Sequence, residues 1–239
     1  MPHEDILKID KNTISICNYD VMPLKIFREE KTDAQKIYEL NEQNKVLDGK
    51  PPRDIIYWAL SIAKKPIIST NFGPFSASLL HAVTNQSPKI NVVWIDTGYN
   101  TSQTYKYALG LIKQLKLNIN IYVPKESVAY RNITLGIPSF KDPKHAIFTE
   151  QVKLEPFRRA INILKPDIWF TNIRKGQTAF RDNLNVLSLS KNGILKVSPF
   201  YNYSDDDLKE YLKIHQLPNE TRYYDPTKQI SNRECGIHD

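Results

Sequence analysis

The chain has 239 residues, 41% of them hydrophobic, enough for one domain with a substantial buried core and too many for disorder beyond the ends. There is no run of about 18 apolar residues, and Met1-Pro2-His3-Glu4-Asp5 lacks the basic and apolar regions of a signal peptide, so a cytoplasmic protein that does not engage a membrane is expected. A formal charge of +7 calls for an anionic partner; the basic residues are dispersed, with no Lys/Arg block and no zinc-finger spacing, which favours a small polyanion over nucleic acid.

In chain order, residues 1–30 read as an N-terminal arm in which Thr13-Ile14-Ser15-Ile16-Cys17 alternates like a strand. Ala34, Ile37, Leu40 and Val46 predict an amphipathic helix from Thr32 to Val46, and Arg53 to Ala63 a second after Pro51-Pro52. An α/β rhythm follows: a short strand at Pro66 to Ser69, a Gly-containing turn, a helix from Ser76 to Thr84, and an almost wholly apolar strand at Ile90 to Ile95. A helix from Ser102 to Leu115 leads to a strand at Ile119 to Val123, an irregular stretch from Pro124 to Thr149, a helix near Pro156 to Leu164 and a strand at Asp167 to Thr171. Leu187 to Ser190 and Ile194 to Val197 form a hairpin across Asn192-Gly193, and Ser204 opens a last helix to His215. The expected architecture is an α/β domain over residues 31–217, a mostly parallel sheet flanked by helices, followed by a mobile tail over 218–239.

In such a sheet, ligands bind outside the carboxyl ends of the strands. The loop Ser69-Thr70-Asn71-Phe72-Gly73-Pro74-Phe75-Ser76 offers hydroxyls, a helix start and a glycine, the chemistry of a phosphate cradle or of an ordinary strand-to-helix turn. Asp96-Thr97-Gly98-Tyr99 ends the second strand, with Asp96 placed either to accept from ribose hydroxyls or to cap its own turn. Lys153 to Pro156, then Arg174-Lys175 with Gln177, Thr178 and Arg181, concentrate positive charge after a strand, where Arg forks suit a dianion or simply form a solvated basic face.

Two cysteines, Cys17 and Cys235, build no disulfide framework and no four-cysteine cluster within one chain. Cys17 fits a structural place in its strand pattern. Cys235 lies on a tail without apolar periodicity, flanked by Arg233 and His238, which is the setting of a reactive thiolate and equally of a solvated bystander.

The ordered set Ser69 to Gly73, Asp96-Thr97-Gly98-Tyr99, Lys153 to Pro156, Arg174 to Arg181 and the terminal Glu234-Cys235-Gly236-Ile237-His238 resembles the phosphoadenylyl-sulfate (PAPS) reductase family, over about residues 60 to 215 plus the tail. The resemblance implies an adenine nucleotide alpha-hydrolase-like (PP-loop-like) fold. It implies that Ser69, Thr70, Asn71, Phe72, Gly73, Ser76, Asp96, Thr97 and Gly98 hold the nucleotide, and that Lys153, Arg174, Lys175 and Arg181 hold the phosphosulfate, with Arg233 near the thiol. Cys235 then attacks the sulfur and becomes S-sulfocysteine, adenosine 3',5'-bisphosphate leaves, and thioredoxin or glutaredoxin liberates sulfite; His238, by its place beside the thiol, either assists proton transfer or is merely solvated. A homodimer without a bound cofactor or metal, working in sulfate assimilation toward cysteine, is what the family suggests.

Similar reductases acting on adenylyl sulfate generally carry paired cysteines for an iron-sulfur cluster, which this sequence lacks, so PAPS is the favoured substrate; an adenylyl sulfate reductase and a non-catalytic sulfonucleotide-binding protein are the alternatives. Asn71-Phe72-Gly73-Pro74-Phe75-Ser76 departs from the Ser-Gly-Gly-x-Asp-Ser loop of ATP-pyrophosphatase relatives and argues against adenylation. The path from Leu217 to Cys235 is shorter than the family's usual one, and Tyr224-Asp225-Pro226 reads as a turn in place of the missing piece.

Overall fold

The structure, a computed structural model, describes residues 32–228 together with Glu234, Gly236 and Ile237. The arm with Cys17, and Arg233, Cys235 and His238 of the tail, lie outside the described residues.

The elements are α1 (Asp33–Leu47), α2 (Pro52–Ile62), β1 (Pro66–Thr70), α3 (Ser76–Thr84), β2 (Asn91–Ile95), α4 (Ser102–Leu115), β3 (Asn118–Tyr122), α5 (Val128–Thr134), α6 (Lys144–Thr149), a π-helical turn (Glu150–Leu154), α7 (Glu155–Leu164), β4 (Ile168–Phe170), α8 (Ala179–Asp182), β5 (Leu187–Leu189), β6 (Leu195–Val197) and α9 (Asp205–Ile214). The strands form one sheet in the order β3-β2-β1-β4-β6-β5. All neighbours are parallel except the β5–β6 hairpin.

Burial on both faces explains the apolar strands. Along β1, β2 and β4 the side chains alternate between two cores: Ile68, Val92, Trp94 and Phe170 face the larger one, Ile67, Val93, Ile95 and Trp169 the smaller one that includes Phe157 and Ile161 of α7. Because β1 connects toward β2 on one side and pairs with β4 on the other, the strand order reverses between β1 and β4, opening a crevice at their carboxyl ends.

Two expectations need correction. The stretch 124–149 is not irregular: Ser127 caps α5 by accepting from the Tyr130 amide at 3.2 Å, and α6 runs into the π-helical turn. Short helices punctuated by Pro124, Pro138 and Pro143 carry too few turns to show a period. The predicted stripe on α1 holds only in part: Leu40 packs on the core beside buried Leu47, but Ile37 and Val46 are exposed. Buried Asn44 adds a polar anchor, donating to the Leu187 carbonyl at 3.0 Å and accepting from the Leu187 amide at 2.8 Å, which satisfies the outer backbone of edge strand β5. No helix among the described residues is long and apolar enough to cross a membrane.

Candidate active site

The loop after β1 reverses twice within four residues. Thr70 Oγ1 accepts from the Phe72 amide and Asn71 Oδ1 from the Gly73 amide, both at 3.0 Å, and the chain takes φ values of 51° at Phe72 and 59° at Phe75. Left-handed backbone at an aromatic residue costs about 1–3 kcal/mol and persists only where the surroundings enforce it. Phe72 is enforced by burial, its ring edge-on to Trp94 at 4.8 Å and to Tyr107 at 6.4 Å. Phe75 is fixed by its amide, which donates to Asn219 Oδ1 at 2.8 Å, and by the Arg174 guanidinium 5.2 Å from its ring centre.

Two hydroxyls at this loop already serve as acceptors. Trp169 Nε1 donates to Ser69 Oγ at 2.7 Å, and Thr70 Oγ1 already accepts from Phe72, so both hydroxyl protons remain available to an anion. The first amides of α3 are engaged within the protein: Ser76 with the Gly73 carbonyl at 3.1 Å, Ser78 with that of Phe75 at 3.2 Å, and Ala77 with the Tyr107 hydroxyl. The helix dipole therefore acts from behind these side chains.

At the second loop, Asp96 Oδ1 accepts from the Gly98 amide at 2.9 Å, Asn100 Nδ2 at 3.0 Å and the Tyr105 hydroxyl at 2.8 Å, which is the turn-capping role. Burial, reinforced by the hydrogen bond to Asp96, pushes the Tyr105 hydroxyl up to about 12. Gly98, at φ 80°, turns its back on Val128 of α5; a Cβ there would sit 2.4 Å from Val128 Cγ2.

Basic groups arrive from three elements. The π-helical turn carries Lys153, whose buried Nζ pairs with Asp225 Oδ2 and lies 3.3 Å from Thr227 Oγ1. Burial pushes the Asp225 carboxyl up, but the charge and hydrogen bond of Lys153, with two more bonds from Thr227, outweigh it and hold it below its ordinary value. Arg174 reaches Asp205 at 2.7 Å and the Tyr203 carbonyl at 3.2 Å. Arg181 Nη2 donates to Glu234 Oε2 at 2.9 Å. The expectation that the two arginines stand open as an anion clamp thus meets a structure in which both are paired with carboxylates.

These groups surround a cavity of about 530 Å³ at the carboxyl ends of β1 and β4. Nine of the expected binding residues line it: Ser69, Thr70, Asn71, Gly73 and Ser76 from the first loop, then Thr97, Lys153, Arg174 and Arg181. Phe72 points into the core, Asp96 and Gly98 do not line the cavity, and Lys175 borders a separate polar cavity of about 650 Å³ beside Tyr38 and Asp182. Asn172, Phe157 and above all the strap after α9 line the first cavity as well, with no signal in the sequence that marks them as binding residues. Tyr223, Tyr224, Asp225 and Pro226 line the cavity, and Ile237 of the tail does too. The Tyr-Asp-Pro turn was legible, and the Lys228 amide does bond the Asp225 carbonyl at 3.1 Å; its place over the pocket was not. No group of three or more His, Cys, Asp or Glu able to hold a metal occurs among the described residues.

The mostly parallel sheet, the strand reversal and a polar pocket at that reversal define a nucleotide-binding α/β fold. A family model described as the phosphoadenosine phosphosulfate reductase domain matches residues 65–226, and the chain belongs to that family. It is 30% identical to the phosphoadenosine 5'-phosphosulfate reductase of Photobacterium profundum, covering 88% of this chain and 92% of the relative. The reductase of the same name from Xylella fastidiosa is 31% identical, over 84% of this chain and 94% of the relative. Among solved structures, a phosphate complex of phosphoadenylyl-sulfate reductase from Candida auris superposes with a TM-score of 0.68 at 24% identity, over 77% of this chain and 88% of that one. FMN adenylyltransferase from Candida glabrata shares the fold at a TM-score of 0.50 and 10% identity, over 72% of this chain and 56% of that one.

Proposed function

We propose that this chain reduces 3'-phosphoadenylyl sulfate to sulfite and adenosine 3',5'-bisphosphate through an S-sulfocysteine at Cys235. The observation that carries the reading is that residues on both sides of Cys235 in sequence meet the nucleotide-sized pocket: Glu234 is bonded to Arg181 and Thr178, and Ile237 lines the cavity. The Cys235 thiolate attacks the sulfuryl sulfur, the sulfur–oxygen bond to the phosphate breaks, and its electron pair leaves on the phosphate oxygen. Ser69 and Thr70 line the cavity and accept from Trp169 and Phe72, which leaves their hydroxyl protons to donate to that phosphate. A thiolate of thioredoxin or glutaredoxin then attacks Cys235 Sγ, sulfite departs with the bonding electrons, and the reductant's second thiol resolves the mixed disulfide.

Two cysteines in the sequence are too few for a four-thiolate cluster within one chain, which supports a cluster-free reaction and the phosphorylated nucleotide over adenylyl sulfate. A cytoplasmic homodimer, with an arm at 1–30, a catalytic domain at 31–217 and a tail at 218–239, completes the reading, with Arg233 and His238 assisting the thiol.

The test is sulfite release from both nucleotides with reduced thioredoxin. Turnover of the 3'-phosphorylated substrate is expected, with a Cys235 adduct one SO₃ unit heavier when reductant is withheld. Full turnover by Cys235→Ser would refute the mechanism; faster turnover of adenylyl sulfate would reassign the substrate, and nucleotide binding without sulfite release would make the chain a binding protein.

A further inference from the structure

Lys153, Arg174 and Arg181 each meet a carboxylate, and the three pairs differ in what they hold. Asp225 belongs to the strap and Asp205 opens α9, whereas Glu234 immediately precedes Cys235 in sequence. Its carboxylate is gripped on both oxygens: Arg181 Nη2 lies 2.9 Å from Oε2, Arg181 Nε 2.7 Å from Oε1, and Thr178 Oγ1 donates to Oε1 at 2.6 Å. Both charged side chains are largely withdrawn from solvent, at 9% and 14% exposure.

The receiving side is built in advance. Thr178 accepts from the Arg181 amide at 3.2 Å, Gln177 contacts the far side of the guanidinium, and the Tyr201 hydroxyl donates to the Arg181 carbonyl at 2.9 Å. A planar fork fixed in this way suits one carboxylate in one orientation. On the other side of Cys235 in sequence, Ile237 packs on the cluster of Ile67, Val93, Phe157 and Trp169.

If the substrate's sulfate took Arg181, it would exchange one anion for another and displace the residue next to the thiol at the moment the thiol must attack. Keeping Glu234 on Arg181 holds the tail at the pocket. We propose that Arg181 and Thr178 form a receptor for the Glu234 carboxylate and act as positioning residues for Cys235, rather than as a clamp on the phosphosulfate. This rests on the reading of Cys235 as the nucleophile.

The experiment uses the full chain in single turnover without reductant, following Cys235 sulfonation by intact mass. Glu234→Ala and Arg181→Met are each expected to slow sulfonation by roughly 30- to 100-fold, the lower end of what truncating one member of a desolvated charge pair costs. The double variant is expected to be no slower than the slower single, because both remove one shared interaction. In a Cys235→Ser background, Arg181→Met is expected to leave the affinity for 3'-phosphoadenylyl sulfate within about 2-fold.

Sulfonation at the wild-type rate in Glu234→Ala overturns the receptor, as does an affinity loss of about tenfold or more caused by Arg181→Met and not by Glu234→Ala. Protease protection of the nucleotide-free tail reads the pairing separately: it is expected to be lost in Glu234→Ala and Arg181→Met and kept in Cys235→Ser. Protection with that pattern alongside full turnover by Cys235→Ser would refute the nucleophile and leave the pairing intact. Unchanged protection in Glu234→Ala would refute the pairing whatever the nucleophile.

Discussion

Replacing Asp225 by Ala removes the carboxylate from a pair whose side chains are 8% (Lys153) and 4% (Asp225) exposed. Stripping one partner from a buried ion pair costs about 3–5 kcal/mol, because the remaining charge keeps its desolvation penalty. The lower end applies here: Thr227 Oγ1, 3.3 Å from Lys153 Nζ, remains as a neutral acceptor, and the strap can shift to admit water. About 3 kcal/mol in a chain of this size corresponds to a fall in Tm of roughly 6–12 °C. Differential scanning calorimetry should record that fall without nucleotide, and Lys153→Met/Asp225→Leu should recover most of it by removing both charges together. The sign with pH follows from the depressed Asp225 carboxyl, whose contribution is full above its unfolded value of about 3.9 and is lost as pH falls through the lower folded value. The difference between wild type and Asp225→Ala should therefore narrow below about pH 4. A loss under about 1 kcal/mol, the range of a solvent-exposed pair, would refute the view of Asp225 as a desolvated anchor of the strap.

Two further outcomes follow from the packing. Gly98→Ala places a Cβ 2.4 Å from Val128 Cγ2 at a φ of 80°, and the combined clash and backbone strain should destabilise by about 1–3 kcal/mol in chemical denaturation, with Val128→Ala recovering the steric part only; a neutral Gly98→Ala would refute the contact. His81 lies between α3 and α9, its Nδ1 2.9 Å from the Tyr211 hydroxyl, its Nε2 2.9 Å from Asn85 Nδ2 and its ring 4.5 Å from that of His215. Burial first and the His215 charge second hold its pKa below the usual histidine value, so its contribution is full above about pH 6.5 and is lost as pH falls through the lower folded value. Tm should drop on acidification across that interval, and His81→Gln should flatten the drop; an unchanged slope would refute the assignment.

What the sequence revealed and what it hid divide by range. Ile67-Ile68 and Val92-Val93-Trp94-Ile95 announce buried parallel strands because both faces are covered, and the loops that follow them are then located by topology. The resemblance implies a binding role for Phe72 within such a loop, yet consecutive turns closed by Thr70 and Asn71 swing it into the core, a reversal that loop membership does not encode. Arg181 and Lys153 were identifiable as basic groups near a strand end, but their partners lie 53 and 72 residues away, where no local period or spacing connects them. The short tail illustrates the same gap. Its length was visible; the residues that dock it were not.

Length turns out to be the lesser constraint on that tail. The 18 residues from Leu217 to Cys235 span about 60 Å when extended, several times the roughly 16 Å radius of gyration of a domain of about 200 residues. A tether with that much slack brings a thiol to a pocket only when it is fastened, and loop-closure entropy rises only slowly with its length. The fastenings come in order along the strap: Asn219 on the Phe75 amide, Tyr223 against Gly73, Asp225 on Lys153, and Glu234 on Arg181. Tyr223 ring atoms lie 3.2 Å from where a Gly73 Cβ would be, so the glycine of the first loop makes room for the strap as well as for a ligand. A chain that docks its tail at several points on the pocket rim can dispense with a longer connecting segment, because each anchor shortens the free loop that the next one must close.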